Sequence, residues 1–491
     1  MNQPLRIAIV HYHLKRGGVT RVIESTLRGF SQLAEAPKCI VLAGEVPDDV
    51  NFRAQAVEVQ GLQYSNAQVS TPSSQQLINA LRKAAEQALG GPPDLWHIHN
   101  HSLGKNSSMP GIISLLAEQG EALLLHMHDF AEDGRPANYQ LNQLDPDFSA
   151  KLYPSCPRVH YAVLNGRDEA IFQQCAVSRS QLHQLANPVE GTAVVNAHND
   201  SAEILEALEA KRLILYPVRA VRRKNFGELL LWSALADPGD VFATTLGPTN
   251  KDYQAAYNDW RQFAAKHKLP VHFSIGEDNE WSFDAIMQAA HCICTTSIAE
   301  GFGLAFLEPA LFGKAIVGRD LPQITADFKA HGVQLEHLYT HLGIPLDWID
   351  LESLRSEIDR ELRKSYTAYG VELPEGATQR ALDVLIRNKT IDYSGLDETN
   401  QRTVIEKLIE NPSLRDQLQL PDLVSETGMQ SISANAQCIE QNYALPNYAQ
   451  TLTALYQEIS AAKNPESIDY FAPETVLNGF LKPESFRLLR T

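Results

Sequence analysis

Two glutamates, Glu300 and Glu308, flank Gly301, Phe302, Gly303 and Leu304 in the stretch SIAEGFGLAFLEPALFGKAIVG, residues 297–318. The pattern predicts a glycine turn at 300–303 opening a helix over 304–313. Helical side chains lean toward the N-terminus, so Glu308 would aim back at the turn that holds Glu300. Each carboxylate can accept two hydrogen bonds from a vicinal diol. The glycines expose backbone N–H groups to an anion or a hydroxyl. A ligand with hydroxyls at two places and an anion between them, such as a nucleotide sugar, suits this chemistry.

Three more segments carry candidate chemistry. YPVRAVRRKNFGELL (216–230) sets Arg219, Arg222, Arg223 and Lys224 after a predicted strand. Guanidinium forks and an ammonium suit a diphosphate; the plainer reading is a solvated basic loop. HLKRGGVTRVIE (13–24) places Gly17 and Gly18 at a helix start, where free N–H groups receive anions. Its spacing fits neither the dinucleotide fingerprint nor a P-loop, and an ordinary glycine turn is the alternative. Finally, WHIHNHS (96–102) and HMHD (126–129) are expected to alternate His97, His99 and His101 onto one strand face, and His126 and His128 likewise. These histidines could ligate a metal, furnish one functional imidazole in a cleft, or bond to backbone at strand ends. No matching Cys, His or Asp series follows at usual spacings, so no metal is expected. Asp145 and Asp147 form a DxD in a turn-like stretch, read as an exposed proline turn.

These segments need strands to position them. Apolar runs at 6–10, 39–44, 94–99, 122–128 and 159–165 alternate with helical patterns near 19–34, 74–89 and 108–119. The alternation restarts at 212–218, 241–247, 271–276, 292–296 and 315–318, with helices at 226–236, 252–267 and 282–290. Runs apolar on both faces fit parallel sheets covered by helices, so the expected class is α/β with two doubly wound domains. The expected division is 1–190, then 191–445 with a helical insertion at about 325–420, then a helix and tail at 446–491 that pack back on the first domain. A hinge is expected around 185–201.

Composition narrows the classes. A net charge of -17 argues against non-specific nucleic-acid binding and a broad basic membrane surface. No apolar run is long enough for a membrane span, and residues 1–18 do not read as a secretory signal. Six scattered cysteines read as reduced and cytoplasmic.

In order, these motifs resemble the retaining glycosyltransferases of the GT-B fold, and are similar to family 4. GGV at 17–19, the Arg219-x4-Lys224 spacing, ANPV at 186–189 and EGFGLAFLE with its Glu-x7-Glu pattern carry the resemblance. It implies two Rossmann-like domains facing a central cleft. It also implies a hexose moved from a nucleotide-diphosphate sugar to a hydroxyl of an acceptor, without a metal cofactor; the acidic chain, with neither a basic amphipathic helix nor an apolar anchor, points to a soluble acceptor. Arg219, Lys224 and the N–H groups at Gly17 and Gly18 would hold the diphosphate, and Glu308 the ribose. Glu300 would contact the donor sugar, with Gly301, Phe302, Gly303 and Leu304 beside it. His128 would lie near sugar and acceptor, with His126 as second choice. Rival readings are a metal-dependent hydrolase built on the histidines and a sugar phosphorylase on the same fold.

Overall fold

The computed structural model describes residues 3–490 except 66–70, 176, 191–197, 278–280, 419, 424–425 and 465. The chain forms two compact units: 1–188 with 366–371 and 442–482, and 189–365 with 372–441 and 483–491. Much of the expected hinge, 191–197, lies outside the described residues. The tail divides: residues 446–482 belong to the first unit, but 483–491 belong to the second. No helix among the described residues is long and apolar enough to cross a membrane.

The first unit holds β1 (Arg6–His11), β2 (Lys38–Ala43), β3 (Ala56–Glu58), β4 (Leu95–His99), β5 (Leu123–Met127), β6 (Pro154–Ser155), β7 (Val159–Val163) and β8 (Leu182–Gln184). Seven of them make one parallel sheet in the order β3-β2-β1-β4-β5-β7-β8. The period of two explains the apolar runs. Ala8, Val10, Trp96 and Ile98 feed one core, and Ile7, Ile9, Leu95 and Leu124 feed the other. The helix Leu445–Ala461 covers that second face through Tyr448, Ala449, Leu452, Tyr456 and Ile459. Burying each of its large apolar side chains contributes about 1.5–3 kcal/mol, so this late segment completes the first core.

The second unit repeats the design with β9 (Arg212–Arg219), β10 (Asp240–Leu246), β11 (Val271–His272), β12 (Cys292–Thr295) and β13 (Ala315–Gly318), ordered β11-β10-β9-β12-β13. All described pairings of this five-stranded sheet are parallel. The strand order reverses between β9 and β12, as it does between β1 and β4 in the first unit. Ligands of open parallel sheets bind beyond the carboxyl ends at such reversals.

The 325–420 region is more than helices. Besides the helices Leu351–Tyr369, Ala377–Leu385 and Glu398–Glu410 it carries β14 (Gly343–Pro345), β15 (Ile386–Arg387) and β16 (Thr390–Asp392), an antiparallel sheet in the order β14-β16-β15. A buried ionic knot ties it to the parallel sheet. Arg319, just past β13, donates to Glu228 at 2.7 and 2.9 Å and to Asp392 at 2.9 and 3.0 Å. The Tyr339 hydroxyl donates to Glu228 at 2.7 Å and accepts from Trp232 Nε1 at 2.7 Å. Burial raises the Glu228 carboxyl above its ordinary range although Arg319 opposes it. Burial also works on Asp392, but Arg319, Ser394 and the Leu342 N–H prevail and hold it at about 2. Removing one partner strands a buried charge, which costs about 3–5 kcal/mol. Arg319→Met should therefore lower the unfolding free energy by about that much in denaturant titrations; a loss under about 1 kcal/mol would contradict the role given to the knot.

Candidate active site

In the second unit β9 and β12 are neighbours, with Cys292 opposite Ile214 and Ile293 opposite Leu215. The loops that leave their carboxyl ends therefore meet. One is the basic loop 219–225; the other carries Glu300. Lys224 Nζ donates to Glu300 Oε1, and Arg223 Nη1 reaches Glu300 Oε2 at 3.0 Å. The two loops are also latched through backbone. Ile298 N donates to Arg223 O at 3.0 Å, and Thr296 Oγ1 donates to Lys224 O at 2.9 Å. Asn225 closes the basic loop in the left-handed region at φ 53°, which asparagine tolerates better than most residues. Its amide donates to Glu228 at 2.8 Å, so the Arg319 knot anchors the loop from behind.

The four cations have separate fates. Arg222 turns to Glu398, with bonds of 2.7 and 2.8 Å. Arg223 and Lys224 share Glu300. Arg219 is exposed at the end of β9, with Nη1 3.4 Å from Gly247 O. Burial pushes the Lys224 ammonium below its ordinary range; Glu300 opposes this, and neighbouring Arg223 adds to it. Burial pushes Glu300 up, but Lys224 and Arg223 outweigh it and hold the carboxyl below its ordinary range. Glu300 is thus an ionised carboxylate among cations.

The glycine turn departs from expectation beyond Gly303. One helix over 304–313 is expected, but the chain makes a 3-10 turn at Leu304–Phe306 and then a short helix at Glu308–Leu311. Pro309 is the reason: it has no N–H to donate within a continuous helix, and it fits the first turn of a new one. Glu308 is consequently the first residue of that helix and half-buried. Gly303 is demanded by the fold, since it stands at φ 95° and a Cβ there would meet Ile324 Cγ2 at 2.6 Å. Phe302 is buried, edge-on to Phe328 with centroids 5.5 Å apart.

In the first unit Gly17 and Gly18 sit at the N-terminus of the helix Gly18–Phe30, which has no side-chain cap and no acidic residue in its first turn. The backbone does not require a glycine at either position. A Cβ at Gly18 would meet nothing within 4 Å, and one at Gly17 only Lys15 O at 3.8 Å. The glycines leave open the ground in front of a helix start.

The histidines form a layer. His11, His97, His99 and His126 continue the face covered by Leu445–Ala461. His97 Nδ1 is 2.7 Å from the Tyr456 hydroxyl and His97 Nε2 is 3.2 Å from His126 Nδ1. His99 Nδ1 is 2.9 Å from His128 Nε2. His101 does not join them: Asn100, at φ 56°, breaks the alternation, and His101 packs on Tyr153 and Tyr161 instead. Asn100 Oδ1 accepts from the N–H groups of His128 and Asp129 at 2.7 and 3.1 Å, which fixes the turn after β5. His97, His99 and His126 each offer a ring nitrogen within 4.8 Å of the others, so they could hold an ion. Doing so would take His97 Nε2 from His126. Asp145 caps the short helix Pro146–Ser149 by accepting from Asp147 N, and the pair is exposed.

Sequence reasoning named Arg223 only within the basic cluster, without a role of its own, and gave Asn100 and His11 no place in the site. Arg223 had a signal in the RRK run, and His11 in the HYH that ends β1. A cavity of ≈ 470 Å³ in the second unit, lined by Arg261, Lys268, Phe273 and Trp281 among others, contains none of the predicted site residues.

No family model matches the chain. Mannosylglucosyl-3-phosphoglycerate synthase of Petrotoga mobilis is 22% identical over 521 residues, covering 98% of each chain. Among solved structures, HepE of Anabaena in complex with UDP is similar with a TM-score of 0.55 at 13% identity, over 92% of this chain and 100% of that one. Sucrose-phosphate synthase of Thermosynechococcus elongatus is similar with a TM-score of 0.53 at 14% identity, over 94% of this chain and 100% of that one. The fold is GT-B, two Rossmann-like α/β domains in tandem. With this fold and its full-length likeness to a synthase, the chain is a transferase enzyme.

Burial holds the His11, His97 and His101 imidazoles neutral down to about 3. In the unfolded chain they take up protons near their ordinary value, about 6.5. Their folded values are depressed, so stability should fall as pH drops from about 6.5 toward 3, by up to about 1.4 kcal/mol per pH unit for each imidazole. Melting curves across this range, with proton uptake on unfolding measured by calorimetry, check this; a flat profile would contradict the neutral layer.

Proposed function

We propose that the chain is a cytoplasmic retaining glycosyltransferase, similar to family 4, that moves a hexose from a nucleotide-diphosphate sugar to a hydroxyl of a soluble acceptor. The observation that carries this is the meeting of Arg223, Lys224 and Glu300 at the β9–β12 reversal, with Glu308 and an exposed Arg219 on the adjoining segments. Cleaving the sugar–phosphate bond builds negative charge on the diphosphate and positive charge at the sugar. Fixed cations aimed at the leaving group stabilise that separation. In this reading Lys224 and Arg219 take the diphosphate, and Glu300, relieved of Lys224, accepts from sugar hydroxyls. Glu308 holds the ribose. The open helix start at Gly17 and Gly18 offers N–H groups to the phosphates. His128, seated by His99 and Asn100, serves the sugar and acceptor. Retention follows from attack on the face that the diphosphate leaves, whose departing oxygen takes the acceptor proton.

HepE has been solved with UDP-glucose, which favours a nucleotide sugar donor here too. The name of the Petrotoga relative puts a mannosylglucosyl group and 3-phosphoglycerate in its product. Carried to this chain, it favours an acceptor bearing phosphate and carboxylate groups. The competing hydrolase reading rests on the nitrogens of His97, His99 and His126.

Melting temperatures with UDP, GDP and ADP, each with and without EDTA, separate these readings. One nucleotide at 100 times its dissociation constant should add about 2.7 kcal/mol, unaffected by EDTA. No nucleotide shift, together with a lower melt in EDTA alone, would transfer the site to the histidines. Glu308→Ala should weaken the stabilising nucleotide, and Lys224→Ala should lower turnover strongly. Unchanged affinity in the first, or unchanged rate in the second, would remove that residue from its role.

A further inference from the structure

The loops after β3, β4 and β5 of the first unit build a second cationic group that the transferase reading leaves unused. Lys105 Nζ stands 5.3 Å from the centroid of the Tyr64 ring. His13 meets the same ring edge-on, with centroids 4.9 Å apart, and its Nδ1 is buried without a hydrogen-bond partner. Burial pushes the Lys105 ammonium below its ordinary range, and Arg135 adds to the push. Arg135 is paired with Asp129 at 2.6 Å, with Lys15 and Glu45 paired near His13. Among the described residues Lys105 makes no ion pair, in a chain of net charge -17.

The group is held in place. Ser65 N donates to Lys105 O at 2.7 Å, and the buried Asn106 amide donates to Gly61 O and Gln63 O, each at 2.8 Å. These bonds clamp the Lys105 loop to the Tyr64 segment. Arg135 donates to Phe130 O at 3.0 Å, and its backbone N–H to the Tyr369 hydroxyl at 2.7 Å. A half-buried lysine on a fixed loop, without an ion pair among the described residues, has lost hydration that an anion would replace. The strand ends that carry the group are where an open parallel sheet receives ligands.

We propose that Lys105 and Arg135, seated beside Tyr64 and His13, bind the anionic group of the acceptor, a phosphate or a carboxylate. The inference rests on the transferase reading, and it names the acceptor class: a hydroxylated acid instead of a neutral sugar. Lys105 supplies the point charge and Arg135 the planar donor edge left over from Asp129. Both act by binding and take no part in bond cleavage.

The test uses the full chain saturated with the nucleoside diphosphate that stabilises it. Calorimetric titration with inorganic phosphate, glycerate and 3-phosphoglycerate asks whether phosphate or carboxylate is the recognised group. Wild type should bind 3-phosphoglycerate, and phosphate or glycerate alone more weakly. Lys105→Gln should weaken 3-phosphoglycerate by about tenfold or more, the worth of one charge-assisted bond. Lys105→Arg should restore part of it, and both variants should keep the wild-type nucleotide affinity. Equal 3-phosphoglycerate affinity in Lys105→Gln, or no binding of any of the three probes by wild type, would overturn the proposal. If no nucleotide binds wild type, the transferase reading fails on its own, before any acid is added.

Discussion

A buried carboxylate flanked by two cations is the constraint around which the second unit is arranged. Glu300 is 10% exposed at its side chain, and so far from water an ionised group needs a partner. Lys224 and Arg223 supply it, and that requires two loops 76 and 77 residues apart in sequence to leave adjacent strands at the same level. The parallel pairing of β9 with β12 provides the level. The left-handed Asn225 and the Thr296 latch provide the angle. The same constraint bears on the proposed ligand. Whatever separates Lys224 from Glu300 must bring negative charge for the ammonium and hydroxyl donors for the carboxylate. A sugar diphosphate brings both.

Charge balance of this kind recurs deeper in the structure. The Arg319 knot joins an antiparallel sheet to the back of the basic loop through Glu228 and Asp392. The insertion at 325–420 is therefore part of what keeps Lys224 in place. In the first unit the corresponding layer is neutral. Imidazoles replace aliphatic side chains where β1, β4 and β5 near their carboxyl ends; His97 bonds to Tyr456 and His126, and His99 to His128, while Nδ1 of His11 and Nε2 of His99 and His126 are buried without a partner. A polar layer without charge can be buried beside a binding surface at lower cost than ions can.

Most strands were legible because they are apolar on both faces, a pattern few structures other than a covered parallel sheet produce; β3 and β8, three residues each with an exposed polar end, were not. Strand–helix alternation implied two parallel sheets but not the order of strands within them. The antiparallel sheet at 343–392 was not legible, since its strands are two or three residues long and their pairing is set by Asp392 and Arg319 at long range. The single helix expected over 304–313 failed because apolar periodicity outweighed Pro309 in the reading, whereas the proline decides the backbone. His101 was misplaced for a similar reason: alternation holds only while the strand lasts, and Asn100 ends it. Lys105 left no trace in any motif. It stands out only once Tyr64 and Arg135 are brought beside it.

The most direct measurement is a crystal structure with the stabilising nucleoside diphosphate bound, read at Lys224. The pairing described here predicts that Nζ leaves Glu300 for a phosphate oxygen, with Glu300 turned toward the position of the sugar. Lys224 still on Glu300, with the diphosphate bound elsewhere on the chain, would contradict it.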